Sequence, residues 1–195
     1  MRVSHHFVLA GAILAIAGCQ GLNERVSYVN YDGYTGADFA TAGADGAIDV
    51  VAVGAPHQGV TPRGAAHQIA EAMTGANFGP AIPFQAQPGG PPADGYQVVV
   101  RFAQSHGNGT LCDTNGTETA VSQDYTAAFC KDGAALSHLA GAAPHGGDAF
   151  KTAMASATIE TFPYQNPEFN DCDARRPVLM AEESQRYWAV AARYS

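Results

Sequence analysis

Chemistry in this chain has to come from histidines, thiols and scattered carboxylates, because its lysines are only Lys131 and Lys151. Five histidines lie in the body of the chain: His57, His67, His106, His138 and His145. Imidazoles titrate near neutral pH and bind zinc or copper when several converge. His57 falls just past a predicted strand and His67 in the middle of the helix after it. His138 and His145 flank a predicted strand–loop junction. Nothing in this spacing forces them to meet, so surface or hydrogen-bonded core histidines are the plainer expectation. No cofactor and no metal site is implied. A site assembled from dispersed residues would draw on His57, His106 and an acid such as Asp49 or Asp113.

The familiar catalytic patterns are missing. The chain has no Gly-x-Ser-x-Gly nucleophile elbow and no Ser-x-x-Lys. It has no phosphate-binding P-loop, no dinucleotide-type Gly-x-Gly-x-x-Gly after a strand, and no His-Glu-x-x-His. Asn30, Asp32 and Asp38 sit in a glycine-containing stretch, but the calcium-loop spacing is wrong and no glutamate closes it. Asp171 and Asp173 flank Cys172 and precede Arg175 and Arg176, which reads as a salt-bridged turn. Asn108-Gly109 and Asn115-Gly116 read as turns.

The elements that must position these residues are partly legible. Ile48 to Gly54 is apolar and β-branched, as a buried strand is. Thr61 is placed to cap a helix that starts at Pro62, buries Ala65, Ala66, Ile69, Ala70 and Met73, and stops at Gly75. Tyr96 to Ala103 alternates Val98, Val100 and Phe102 with Gln97, Val99 and Arg101, a strand with one apolar face. Ala134 to Ala140 is a further strand. A helix starts near Asp148, with Phe150, Ala153, Met154 and Ala157 as its stripe and Pro163 past its end. Gly79 to Gly95, with five prolines, reads as a long irregular loop, and Gln104 to Ala120 as mostly loop. Pro177 to Tyr194 fits either a helix or an edge strand. No internal repeat stands out. The order of elements predicts an α+β fold: a two-layer sandwich of a mixed sheet with helices on one face.

The N-terminus carries a different kind of signal. Arg2 is a positive start, Phe7 to Ala17 is an apolar run, and small residues precede Cys19. The run is too short to cross a bilayer. Ile16-Ala17-Gly18-Cys19 resembles the lipobox of bacterial lipoproteins, over residues 1–19 only. The resemblance implies cleavage after Gly18, a diacylglycerol on the Cys19 thiol and an acylated new N-terminus, enough chains for stable anchoring. Gln20 in place of aspartate implies sorting to the outer membrane, facing the periplasm. Residues 1–18 are then the signal peptide, 19–47 the lipidated N-terminus and tether, with a short strand expected at Arg25 to Tyr31, and 48–195 a single globular domain.

The envelope is oxidising, so disulfides persist there. Cys112, Cys130 and Cys172 allow three pairings. Cys112 with Cys130 is favoured because it is local and closes a turn-rich loop, worth ~3 kcal/mol. Cys130 with Cys172 is the rival. There is no Cys-x-x-Cys redox motif.

Removing 18 residues from 195 leaves 177, one domain's worth, and takes the formal charge from −8 to −9. That balance disfavours nucleic acid and gives no attraction to anionic lipid, so membrane attachment falls to Cys19. The expected role is a non-enzymatic binding, assembly or accessory protein of the envelope with a protein partner. The alternative is a periplasmic enzyme, small-ligand binder or metal binder.

Overall fold

A computed structural model describes residues 26–44, 46–87, 95–103, 111–114 and 121–165. The chain folds as β1 (Val26–Asn30), α1 (Gly36–Ala42), β2 (Ile48–Val53), α2 (Pro62–Met73), β3 (Phe84–Ala86), β4 (Tyr96–Phe102), β5 (Asp124–Lys131), β6 (Ala134–Ala142) and α3 (Gly147–Thr161). The strands form one mixed sheet in the order β1-β6-β5-β4-β2-β3. β2 is parallel to β3 and β4, and the other pairs are antiparallel. The expected α+β class with a mixed sheet is what the chain forms. Among the described residues no helix is long and apolar enough to cross a membrane.

One core holds most of the fold together. Val50 and Ala52 of β2, Val98, Val100 and Phe102 of β4, Ala127 and Phe129 of β5 and Leu139 of β6 join it. So do the buried residues of all three helices, including Phe39 of α1, Ile69 of α2 and Phe150 of α3. α2 has the expected punctuation: the Thr61 hydroxyl accepts from Gly64 N–H, and Pro62 is its first residue.

The short strand expected at Arg25 to Tyr31 is β1, and the described residues after it are packed rather than loose, because β1 pairs with β6 and α1 buries Phe39 and Ala42 in the core. The segment is rich in Gly, Asp and Tyr, yet Tyr31 and Tyr34 are buried and Thr35 and Asp38 form a capping box at α1. Losing that cap in Thr35→Ala is expected to cost about 1 kcal/mol, seen as a lower midpoint in urea. An unchanged midpoint would mean that α1 does not depend on its cap.

Two expectations change. The loop from Gly79 to Gly95 contains β3, which pairs with β2 and buries Phe84. The second face of β4 is not a solvent face either, since Gln97 and Arg101 are only 5% and 3% exposed. A smaller cluster of Val53, Val99, Ala128 and Cys130 is covered there by Leu111 and Cys112. Cys112 and Cys130 are joined as a disulfide with Cα atoms 5.8 Å apart, the favoured pairing. Cys19 and Cys172 lie outside the described residues.

Candidate functional site: twin histidine turns at one end of the sheet

The end of the sheet where β2 and β6 finish gathers the side chains best suited to chemistry. Both strands run toward this end, because β6 is antiparallel to β5, β5 to β4, and β4 parallel to β2. Each then leads into a helix through the same residues. Ala55-Pro56-His57-Gln58-Gly59 follows β2, and Ala143-Pro144-His145-Gly146-Gly147 follows β6. The pattern Ala-Pro-His-x-Gly therefore occurs twice, each time between a strand and a helix.

The two copies share part of their conformation as well as their sequence, and differ at the fourth position, where Gly146 has a φ of +59° and Gln58 has no positive φ. Both alanines are buried, Ala55 at 5% and Ala143 at 1% exposed. Both closing glycines have positive φ, +84° at Gly59 and +65° at Gly147, which side chains rarely adopt. Each alanine is also tied to the segment that leads into β5. Ser122 N–H donates to the Ala55 carbonyl at 3.1 Å, and Ala143 N–H donates to the Gln123 carbonyl at 2.7 Å. A single short stretch thus holds both turns.

The result is a meeting of histidines. The His57 and His145 rings lie 6.2 Å apart, centroid to centroid, edge to face at 81°. The strands themselves are separated by β4 and β5, so the turns lean together across those strand ends. His57 is half-buried and His145 exposed. His57 Nδ1 lies 2.9 Å from the Gln58 carbonyl, which can only accept, so Nδ1 is the donor of this hydrogen bond and Nε2 is the ring nitrogen left for another partner. That Nε2 faces Gly146, where an added Cβ would stand 3.4 Å away. α3 starts without a side-chain cap, and Asp148 in its first turn offsets the positive end of the helix.

The other sequence candidates go elsewhere. Asp49 sits near the start of β2, away from His57, and accepts from Gln85 Nε2 at 2.8 Å. Asp113 is bound through its backbone carbonyl to Nη2 of the buried Arg101. His67 is exposed on α2 beside a shallow groove with Glu71 and Gln85. His138 lies within β6, with Nδ1 3.2 Å from Asp32 Oδ2, close enough for an ion pair but not aligned as a hydrogen bond. The Tyr28 ring is 5.8 Å from its ring. His106 lies outside the described residues, as do Asp171, Asp173, Arg175, Arg176 and both Asn-Gly pairs. Among the described residues, no three of His, Cys, Asp and Glu converge as metal ligands.

A second polar cluster marks the opposite end of the sheet. Tyr96 O–H donates to Asp38 Oδ1 at 3.0 Å, and Lys131 Nζ lies 3.7 Å from the same oxygen and 4.9 Å from the Tyr96 ring centre. Burial foremost pushes the Tyr96 phenol above its usual pKa, and the hydrogen bond to Tyr96 raises that of Lys131. Both groups therefore stay protonated at neutral pH. They link α1 to β4 and β5 but offer neither a phenolate nor a neutral amine for catalysis.

Comparison with protein families, characterised proteins and solved structures finds nothing similar to this chain. The twin turns were open to sequence inspection, since the pentapeptide repeats to the letter at four of five positions. A unit so short stands out as a repeat only once both copies are seen to join a strand to a helix.

Proposed function

We propose that this protein is a lipid-anchored component of the bacterial envelope that works by binding, held at the outer membrane with its folded part in the periplasm. The observation that carries the reading is the Ile16-Ala17-Gly18-Cys19 motif after a short apolar run. The fold adds support through distance. β1 begins at Val26, so six residues separate it from Cys19. Fully extended, that link spans at most about 25 Å.

β1 starts beside Gly141, at the end of the sheet that carries the twin turns. On this reading His57 and His145 stand on the membrane-facing end, and the Asp38–Tyr96–Lys131 cluster stands on the end presented to a partner. The meeting of His57 with His145 favours a second reading alongside the first, in which the bound species is small rather than a protein.

Cys19→Ala tests the anchor. The wild-type chain is expected in the membrane fraction, heavier than its cleaved sequence by its acyl chains. The variant is expected to lose that mass and leave the membrane. A variant that stays membrane-bound at unchanged mass would sink the reading.

A further inference from the structure

We propose that His57 and His145 together bind one divalent transition-metal ion of the zinc, copper and nickel class. Three observations converge on this pair. The first is distance. An imidazole nitrogen sits 2.0–2.1 Å from such an ion, so two rings sharing one ion have centroids about 5.2 Å apart at a tetrahedral angle and about 6.5 Å apart at most, when the two nitrogens are trans. The His57 and His145 rings, at 6.2 Å, are inside that limit and need to close by about 1 Å for tetrahedral binding, a movement that the exposed His145 side chain is free to make.

The second is the hydrogen bond that orients His57. Ligating histidines commonly donate their other ring N–H to a carbonyl, which orients the ring. The Gln58 carbonyl receives that bond here, and Nε2 is on the side of His145's turn. The third is the repeat. Two independent strand–helix connections spend the same Ala-Pro-His-x-Gly residues on bringing two imidazoles to one place. Either histidine alone would need no such duplication.

Imidazole donors select the ion class, since calcium and magnesium take oxygen ligands. Asp148 in the first turn of α3 reduces the repulsion that the positive helix end exerts on a cation. Two protein ligands leave coordination positions for water or for a donor atom of a second molecule. Such a site holds its ion exchangeably, as metal carriage or sensing requires and a structural site does not.

The test is a titration of the metal-stripped full chain in detergent with Zn(II), Ni(II) and Cu(II), in competition with a chromophoric chelator. One ion per chain is expected. His57→Ala and His145→Ala are each expected to weaken binding about tenfold or more, and the double variant little further. His67→Ala, on the exposed face of α2, is expected to bind as wild type. With Cu(II), electron paramagnetic resonance should show two coupled nitrogens in the wild type and one in each single variant. Thermal melts of the metal-free variants should match wild type, because neither side chain belongs to the core. Equal affinity in wild type and double variant overturns the site, as does a loss confined to His67→Ala. Neither histidine takes part in anchoring, so this outcome is independent of the Cys19→Ala fractionation.

Discussion

Phe162→Ala is expected to destabilise the protein by about 3–5 kcal/mol, more than any other single truncation proposed for it. Phe162 follows the last residue of α3 and is 1% exposed. Its ring lies 4.7 Å from Phe39 of α1, 5.6 Å from Phe84 of β3, 5.0 Å from Phe129 of β5 and 6.3 Å from Tyr34, centroid to centroid. One side chain therefore joins two helices, the edge strand and the centre of the sheet. Removing it leaves a cavity lined by four rings from three separate segments, which cannot collapse together without moving the elements that carry them. Urea unfolding should show a much lower midpoint, and the thermal midpoint should fall by roughly 10 °C or more. Phe78→Ala is the matched control, since Phe78 is 55% exposed and should change stability by less than about 0.5 kcal/mol. Equal midpoints for the two variants would show that the aromatic cluster does not hold the fold.

That cluster also shows how far the sequence could be read. β2, β4, α2 and α3 announce themselves because their patterns are long and their ends are punctuated, as with Thr61-Pro62 before α2. Their bounds agree with expectation to within one or two residues. β5 does not announce itself: Ala127 and Ala128 are small, and Asp124 and Thr126 interrupt the apolar run. It is a strand because β4 and β6 offer partners on both sides, which is tertiary information. β3 is three residues long and surrounded by proline and glycine, and it exists by pairing with β2. α1 is hidden by Gly36 and Asp38 in its first turn and by its short length of seven residues. Its Thr35–Asp38 capping box was legible, but the apolar face that makes a helix worthwhile is only Phe39 and Ala42.

The candidate site was legible in its parts and not in its assembly. His57 and His145 are both among the five histidines of the chain's body, but the dispersed site expected from the sequence joins His57 with His106 and an acid such as Asp49 or Asp113. Nothing in the spacing singles out His145. The observed pairing follows strand direction. β2 and β6 run the same way, so their exits face the same end of the sheet, and the lead into β5 binds both turns. Sequence spacing carries no record of that alignment. The polar alternation of β4 misled for a related reason. Gln97 and Arg101 look like solvent positions until the segment with Leu111 and Cys112 is laid over them.

The bond that holds this cover gives the second large effect. Replacing Cys112 and Cys130 together by alanine, or reducing the disulfide in the wild type, is expected to cost ~3 kcal/mol, because the two cysteines are 18 positions apart in the sequence. The chain-entropy part arises in the unfolded state, which regains the freedom of the opened loop. The native state loses something as well. Cys112 and Leu111 shield Val53, Val99 and Ala128, and without the link that small cluster is held by packing alone. Cys172→Ser should leave stability unchanged, since the bond pairs the other two thiols. Peptide mapping of the unreduced protein is expected to recover the segments containing Cys112 and Cys130 as one linked species. Recovery of Cys130 linked to Cys172, with Cys172→Ser as destabilising as the double alanine variant, would mean that the second face of the sheet is covered by a different segment of the chain.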